Sequence, residues 1–275
     1  MVDDTRERKG GGLLRRLLGT GKTGREDTLP AMSGSGTTPE TAADEAVEAF
    51  LAQVEAAPVP ARRREQSRAG RRGRLIFSMD ATMSRQPTWD RAQHLQAEMF
   101  HAAADLGGLD VQLVFYRGYR ECKASRWVDD PRQLATLMSK VDCRGGYTQI
   151  GRVLRHVLKE QVRGPVDAVV HVGDAFEENV DEVCHLAGQI ALHGTPVFMF
   201  QEGHDPDARR AFAEIARLTG GAHCRFDEGA AATLRQLLSG VAVYAAGGMT
   251  ALEEKALEDG TAGQGARLLL TRMRR

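Results

Sequence analysis

The sequence predicts an α/β protein: a doubly wound, mostly parallel sheet of six strands with helices on both faces, flanked by N- and C-terminal helical segments. Three observations predict it. From Arg74 to about residue 247, short apolar runs alternate with amphipathic stretches of helical period. Runs such as Leu75-Ile76-Phe77-Ser78-Met79 are apolar at nearly every position, as in a parallel strand covered on both faces. The chain is 42% hydrophobic but only 5% aromatic, so it can build a core, and that core is mainly aliphatic.

Residues 1–37 are rich in Gly, Thr, Ser and charge and have little to bury, which predicts a disordered segment. Thr38-Pro39 supplies a hydroxyl cap and a first-turn proline for an amphipathic helix over 38–58. Its single stripe is Val47, Phe50, Leu51 and Val54, and it ends near Pro58 and Pro60. A linker over 59–73 follows, in a run holding Arg62, Arg63, Arg64, Arg68, Arg71, Arg72 and Arg74 against the single Glu65, a composition expected to be solvated and flexible. The main domain is predicted at 74–247. Its first strand is Leu75–Met79, followed by a helix at 89–107 with Trp89, Leu95, Met99, Phe100 and Ala103 inward. Strands follow at Val111–Phe115 and Cys122–Val128, turned at Gly118, then a helix at 131–141. After the Gly145-Gly146 loop, Ile150, Val153, Leu154, Val157 and Leu158 mark another amphipathic helix. Strands at Val166–Val172, Pro196–Phe200 and 222–226 alternate with helices at 179–193, 206–219 and 229–245. In the remaining 248–275, Thr250 and Glu253 read as the capping box of a short helix that Gly260, Gly263 and Gly265 then break. The final Leu268-Leu269-Leu270, with its arginines, is expected to dock on a partner or on the domain itself.

Composition excludes several function classes. Lys+Arg and Asp+Glu both number 37 and the pI is about 7.1, so the chain is no polyelectrolyte. Nucleic acid is disfavoured as a partner, because no aromatic residues interleave with the arginine run. No apolar run approaches the ~20 residues that span a bilayer. Arg15-Arg16 lacks the apolar stretch of a twin-arginine signal. Cys122, Cys143, Cys184 and Cys224 stand apart with no CxxC pair, as reduced thiols of a cytoplasmic protein would. Gly19-Thr20-Gly21-Lys22-Thr23 lacks the first glycine of a phosphate loop, since Arg16 holds that position.

In a doubly wound sheet, ligands gather at the carboxyl ends of the strands where strand order reverses. The first strand ends Asp80-Ala81-Thr82-Met83-Ser84, with an oxygen at every second residue. The fourth ends Val172-Gly173-Asp174, and Thr148 stands just before the Ile150 helix. If strands one and four are neighbours, two carboxylates and three hydroxyls share one small volume. Oxygen-only ligands suit a hard cation that keeps some of its waters, Mg²⁺ above all, with Mn²⁺ or Ca²⁺ as alternatives. Without a cation the carboxylates repel and one pKa rises.

Asp80-x-Thr82-x-Ser84, Thr148 after a Gly-Gly loop, and Asp174 together resemble the metal ion-dependent adhesion site of von Willebrand factor type A domains, a Rossmann-like fold. The resemblance covers about residues 74–247. It departs from the pattern at Thr82, where serine is commoner, and at Ala175, where glycine is common. The resemblance implies direct metal binding by Thr82 and Ser84, direct or water-mediated binding by Thr148, and water-bridged support from Asp80 and Asp174. It further implies a coordination position left for an Asp or Glu of a protein partner, and no catalysis. Intracellular relatives serve larger assemblies, including those built around ATPases; a chaperone-type machine is a further expectation. Two other functions stay open. One is a Mg²⁺-dependent phosphohydrolase with Asp80 as nucleophile, against which stands Thr82, where a second Asp is wanted. The other is a scaffold of the same fold with a vacant metal site. The acidic run Asp174, Glu177, Glu178, Asp181 and Glu182 either strengthens the negative potential, lending Glu177 or Glu178 as an internal ligand, or simply favours a helix N-terminus.

Overall fold

A computed structural model describes residues 71–227 and 231–273. The expected 1–37 segment, the 38–58 helix and the linker up to residue 70 lie outside the described residues.

Six strands form one sheet in the order β3-β2-β1-β4-β5-β6. They are β1 (Gly73–Asp80), β2 (Leu109–Arg117), β3 (Glu121–Val128), β4 (Ala168–Gly173), β5 (Val197–Glu202) and β6 (His223–Phe226). All neighbours are parallel except β2 and β3, whose antiparallel pairing is irregular between Gln112 and Val114. The chain grows outward from β1 through β2 and β3, then crosses to β1's other side for β4. That reversal makes the β1/β4 seam the switch point.

The helices are α1 (Gln86–Leu95), α2 (Ala97–Ala103), α3 (Pro131–Met138), α4 (Ile150–Arg163), α5 (Val180–Leu192), α6 (Pro206–Thr219), α7 (Ala231–Lys255) and α8 (Thr261–Met273). Alternation along the strands divides the core in two. Leu75, Phe77 and Met79 of β1 join Trp89, Met99, Leu237 and Val241 in one layer. Ile76 joins Val114, Tyr116, Ile150, Val153, Ala187 and Phe212 in the other. Trp89 sits against Phe115 edge-on at 6.1 Å and donates its indole N–H to the Met138 carbonyl at 3.2 Å, so burying it orphans no polar group.

Two flanking features differ from expectation. The end of the arginine run is tied down rather than solvated. Arg71 pairs with Asp167 at 2.8 Å, Arg72 with Asp110 at 2.6 Å, and Arg74 lies over the Trp127 ring at 4.0 Å. At the C-terminus, Gly263 and Gly265 do not break a helix; they lie inside α8. A Cβ on Gly265 would stand 2.0 Å from the Gln236 carbonyl oxygen, and one on Gly240 would stand 2.7 Å from the Gly265 oxygen. The glycines let α7 and α8 touch backbone to backbone, and Ala266 and Leu269 enter the main core. Gly248, with a non-helical φ of 76° and ψ of −163°, divides α7 into two helical segments, and Thr250 stands in the first turn of the second. Among the described residues no helix is long and apolar enough to cross a membrane.

Candidate metal centre

Asp80 ends β1, and Asp174 directly follows β4 on the neighbouring strand. All five predicted residues, Asp80, Thr82, Ser84, Thr148 and Asp174, line one cleft of about 280 Å³. The β1–α1 connection shapes its near wall. Asp80 Oδ1 accepts a hydrogen bond from the Thr82 amide at 2.7 Å, which turns the chain into a single 3₁₀ turn at Met83–Arg85. Thr82 begins that turn without using its hydroxyl as a cap. The hydroxyl lies 3.5 Å from Ser84 Oγ, which in turn donates to Asp174 Oδ2 at 3.3 Å.

The far wall is the loop before α4. Gly146 is required there, because a Cβ would stand 2.1 Å from the Gly118 carbonyl oxygen. Thr148 and Glu177 bracket each other: the Thr148 amide donates to Glu177 Oε2 at 3.1 Å, and the Glu177 amide donates to Thr148 Oγ1 at 3.0 Å. Glu178 caps α4 from outside, accepting from the amides of Ile150 at 2.5 Å and Gly151 at 2.9 Å. Gln149, the residue preceding the helix, makes no cap with its own side chain. Both acids are thus already engaged with backbone donors; Glu177 still lines the cleft.

The electrostatics follow from depth. Asp80 is 1% exposed, and burial pushes its carboxyl up to about 6, with Asp174 adding to the rise and the Thr82 hydrogen bonds opposing it. Beneath it lies Tyr116, buried and stacked on His171 with ring centroids 5.8 Å apart. Burial holds His171 neutral, its pKa lowered to about 3, and its Nδ1 lies 3.2 Å from Ser78 Oγ. His171 is a core residue whose Nε2 finds no hydrogen-bond partner among the described residues.

Sequence reasoning missed two charged groups at this site. Arg85, the residue after Ser84, is buried, and its Nη1 lies 3.1 Å from Asp174 Oδ2. The same guanidinium pairs with Glu202 at the end of β5, where Arg91 also reaches Glu202 Oε1 at 3.2 Å. The available signal was positional: Glu202 ends the strand beside β4, so its carboxyl lies at the same sheet edge as Asp174.

The donor set fits a hard cation. Two carboxylates and three hydroxyls face one cleft, and Asp80 is an acid whose charge is destabilised by burial and by a second carboxylate. Among the described residues no cluster of three His, Cys, Asp or Glu side chains could hold a metal. An ion here would depend on the hydroxyls.

No family model matches the chain, and no curated protein sequence matches it. Among solved structures, it is similar to a von Willebrand factor type A protein from Catenulispora acidiphila, with TM-score 0.53 and 12% identity, over 64% of this chain and 43% of that one. This chain therefore spans less than half of that protein. It is also similar to the vWF domain of the type V pili tip protein Mfa5 from Porphyromonas gingivalis, with TM-score 0.50 and 9% identity, over 62% of this chain and 93% of that one. The chain has the fold of von Willebrand factor type A domains.

Proposed function

We propose that this chain is a metal-dependent protein-binding module, a non-catalytic part of a larger assembly, acting through a Mg²⁺ ion in the β1/β4 cleft. The observation that carries this reading is the convergence of Asp80, Thr82, Ser84, Thr148 and Asp174 on one small cleft at the switch point. Thr82, Ser84 and Thr148 would offer hydroxyl oxygens, and Asp80 and Asp174 would supply charge directly or through water. Bound there, the ion would supply a positive centre that a carboxylate of the partner completes. The rim supports a protein partner. Met83 is 64% exposed, and Tyr119 and Tyr147, 73% and 57% exposed, pack edge to face at 5.4 Å beside the cleft loop. Such side chains are enriched at the centres of protein interfaces. The four free cysteines support a reducing, cytoplasmic compartment. Nucleophilic use of Asp80 is disfavoured, since the residue is buried with Oδ1 already held by Thr82.

A second reading, a scaffold whose site stays free of metal, is favoured by one contact: Arg85 already neutralises Asp174. Titrating the chelated protein with Mg²⁺ and Mn²⁺, followed by calorimetry, separates the two. Saturable binding that is lost in Asp80→Ala and Ser84→Ala supports the metal-dependent module. Absence of binding in the wild type leaves the scaffold. A pull-down with and without chelator, repeated with Asp80→Ala, then tests the partner: capture lost in both the mutant and the chelated sample is the expected result.

A further inference from the structure

A second pocket lies at the β6 edge of the sheet, formed by elements that contribute nothing to the metal cleft. It measures about 400 Å³ and takes Arg209 from α6, His223, Arg225 and Phe226 from β6, and Arg272 from α8. Three features make it a site rather than a gap. First, Arg209, Arg225 and Arg272 make no ion pair or side-chain hydrogen bond among the described residues, whereas the neighbouring Arg210 and Arg217 pair with Asp207 and Glu214. Second, among the described residues the only acid in the lining is Asp227, which lies 3.5 Å from His204 Nε2. Three guanidiniums against one carboxylate leave the pocket with two positive charges in excess.

Third, the histidine is oriented. Gln201 donates through Nε2 to the Asp205 carbonyl at 2.8 Å, so its Oε1 accepts from His223 Nε2 at 3.0 Å. That assigns the proton of the neutral ring to Nε2 and leaves Nδ1 as the uncommitted nitrogen. Burial first, and then Arg209, Arg272 and Arg225, lower the His223 pKa to about 4. The imidazole therefore senses all three guanidiniums at once.

We propose that this pocket binds the phosphate group of a small phosphorylated molecule, with Arg209, Arg225 and Arg272 as its ligands. Guanidinium forks match phosphate oxygens two at a time. The excess charge equals that of a phosphate monoester dianion. The volume is that of a small-molecule site, in a range of roughly 300–1,000 Å³. An adjoining pocket shares His223 and Arg272 and adds Ala213, Ala216, Ala222 and Met273, which gives the ester's carbon body an apolar wall.

The test uses the full chain in EDTA, so that no metal-bound phosphate contributes. Inorganic phosphate, phenyl phosphate and a phosphoserine peptide are titrated by calorimetry and by NMR of the His223 ring. The expected result is saturable binding of inorganic phosphate, tighter binding of phenyl phosphate, and a move of the His223 ring toward its protonated shifts. Arg225→Gln and Arg272→Gln, both at exposed positions, should each weaken binding by about tenfold. Asp80→Ala should leave it unchanged, which separates this site from the metal cleft. Absence of saturable binding in the wild type, or equal affinity in the arginine variants, overturns the proposal. Binding of the peptide alone overturns the small-molecule ligand.

Discussion

Asp80→Asn should make the metal-free protein more stable above pH 6 while removing any stabilisation by Mg²⁺. Asp80 is buried, and its pKa is raised from 3.8 to about 6. A carboxyl whose folded pKa is raised favours the fold below its unfolded pKa and loses that advantage as pH rises through the folded one. Stability of the metal-free wild type therefore falls between about pH 4 and pH 6 and is level above that, as far as this group decides it. At ~1.4 kcal/mol per pKa unit, the ionised carboxylate costs the fold up to about 3 kcal/mol. Asparagine keeps the Oδ1 acceptor for the Thr82 amide and carries no charge, so it should recover about 1–3 kcal/mol at pH 8 and almost nothing at pH 4. Urea denaturation of both proteins in EDTA across this range measures the gap. Repeating it in Mg²⁺ should stabilise the wild type alone, because only a ligand bound to the native state raises stability by mass action. An asparagine variant that is less stable than the wild type at pH 8 in chelator, or a gap that does not change with pH, would refute the argument.

Arg85→Gln should tighten Mg²⁺ binding, since Asp174 loses its internal counter-charge, yet cost the fold about 3 kcal/mol by leaving buried Glu202 with Arg91 as its one cation beside the Thr88 hydroxyl; unchanged metal affinity by calorimetry would count against the competition. Glu178→Gln leaves one of the Ile150 and Gly151 amides without its acceptor, with an expected loss of about 1 kcal/mol and faster hydrogen exchange at that amide. Gly265→Leu should separate α7 from α8 and lower stability by about 3 kcal/mol or more, read by thermal melting; a variant melting like the wild type would show that the helices do not depend on that contact.

The strand pattern was legible because each strand is an apolar run bounded by turn residues, and their alternation with amphipathic helices implies parallel crossovers. Pairing of β1 with β4 could only be posed as a condition, and with it stood or fell the meeting of Asp80 and Asp174. The hydroxyl motif was legible because its oxygens recur within five residues of one strand end. Arg85 and Glu202 were not, since their pairing joins positions far apart in sequence and nothing local distinguishes a buried arginine from a solvated one. The C-terminal glycines were misread for the same reason. A glycine in a helix weakens it locally by about 1 kcal/mol, and only the neighbouring helix reveals that the missing side chain makes room for backbone.

The mutual bracket between Thr148 and Glu177 ties together two loops that precede different helices. Glu178 adds a second tie, from the same β4–α5 loop to the first turn of α4. The two loops are therefore geared to one another. A partner that displaces Thr148 would therefore load the segment leading into α5 and the first turn of α4 together, both on the opposite side of the sheet from α7 and α8.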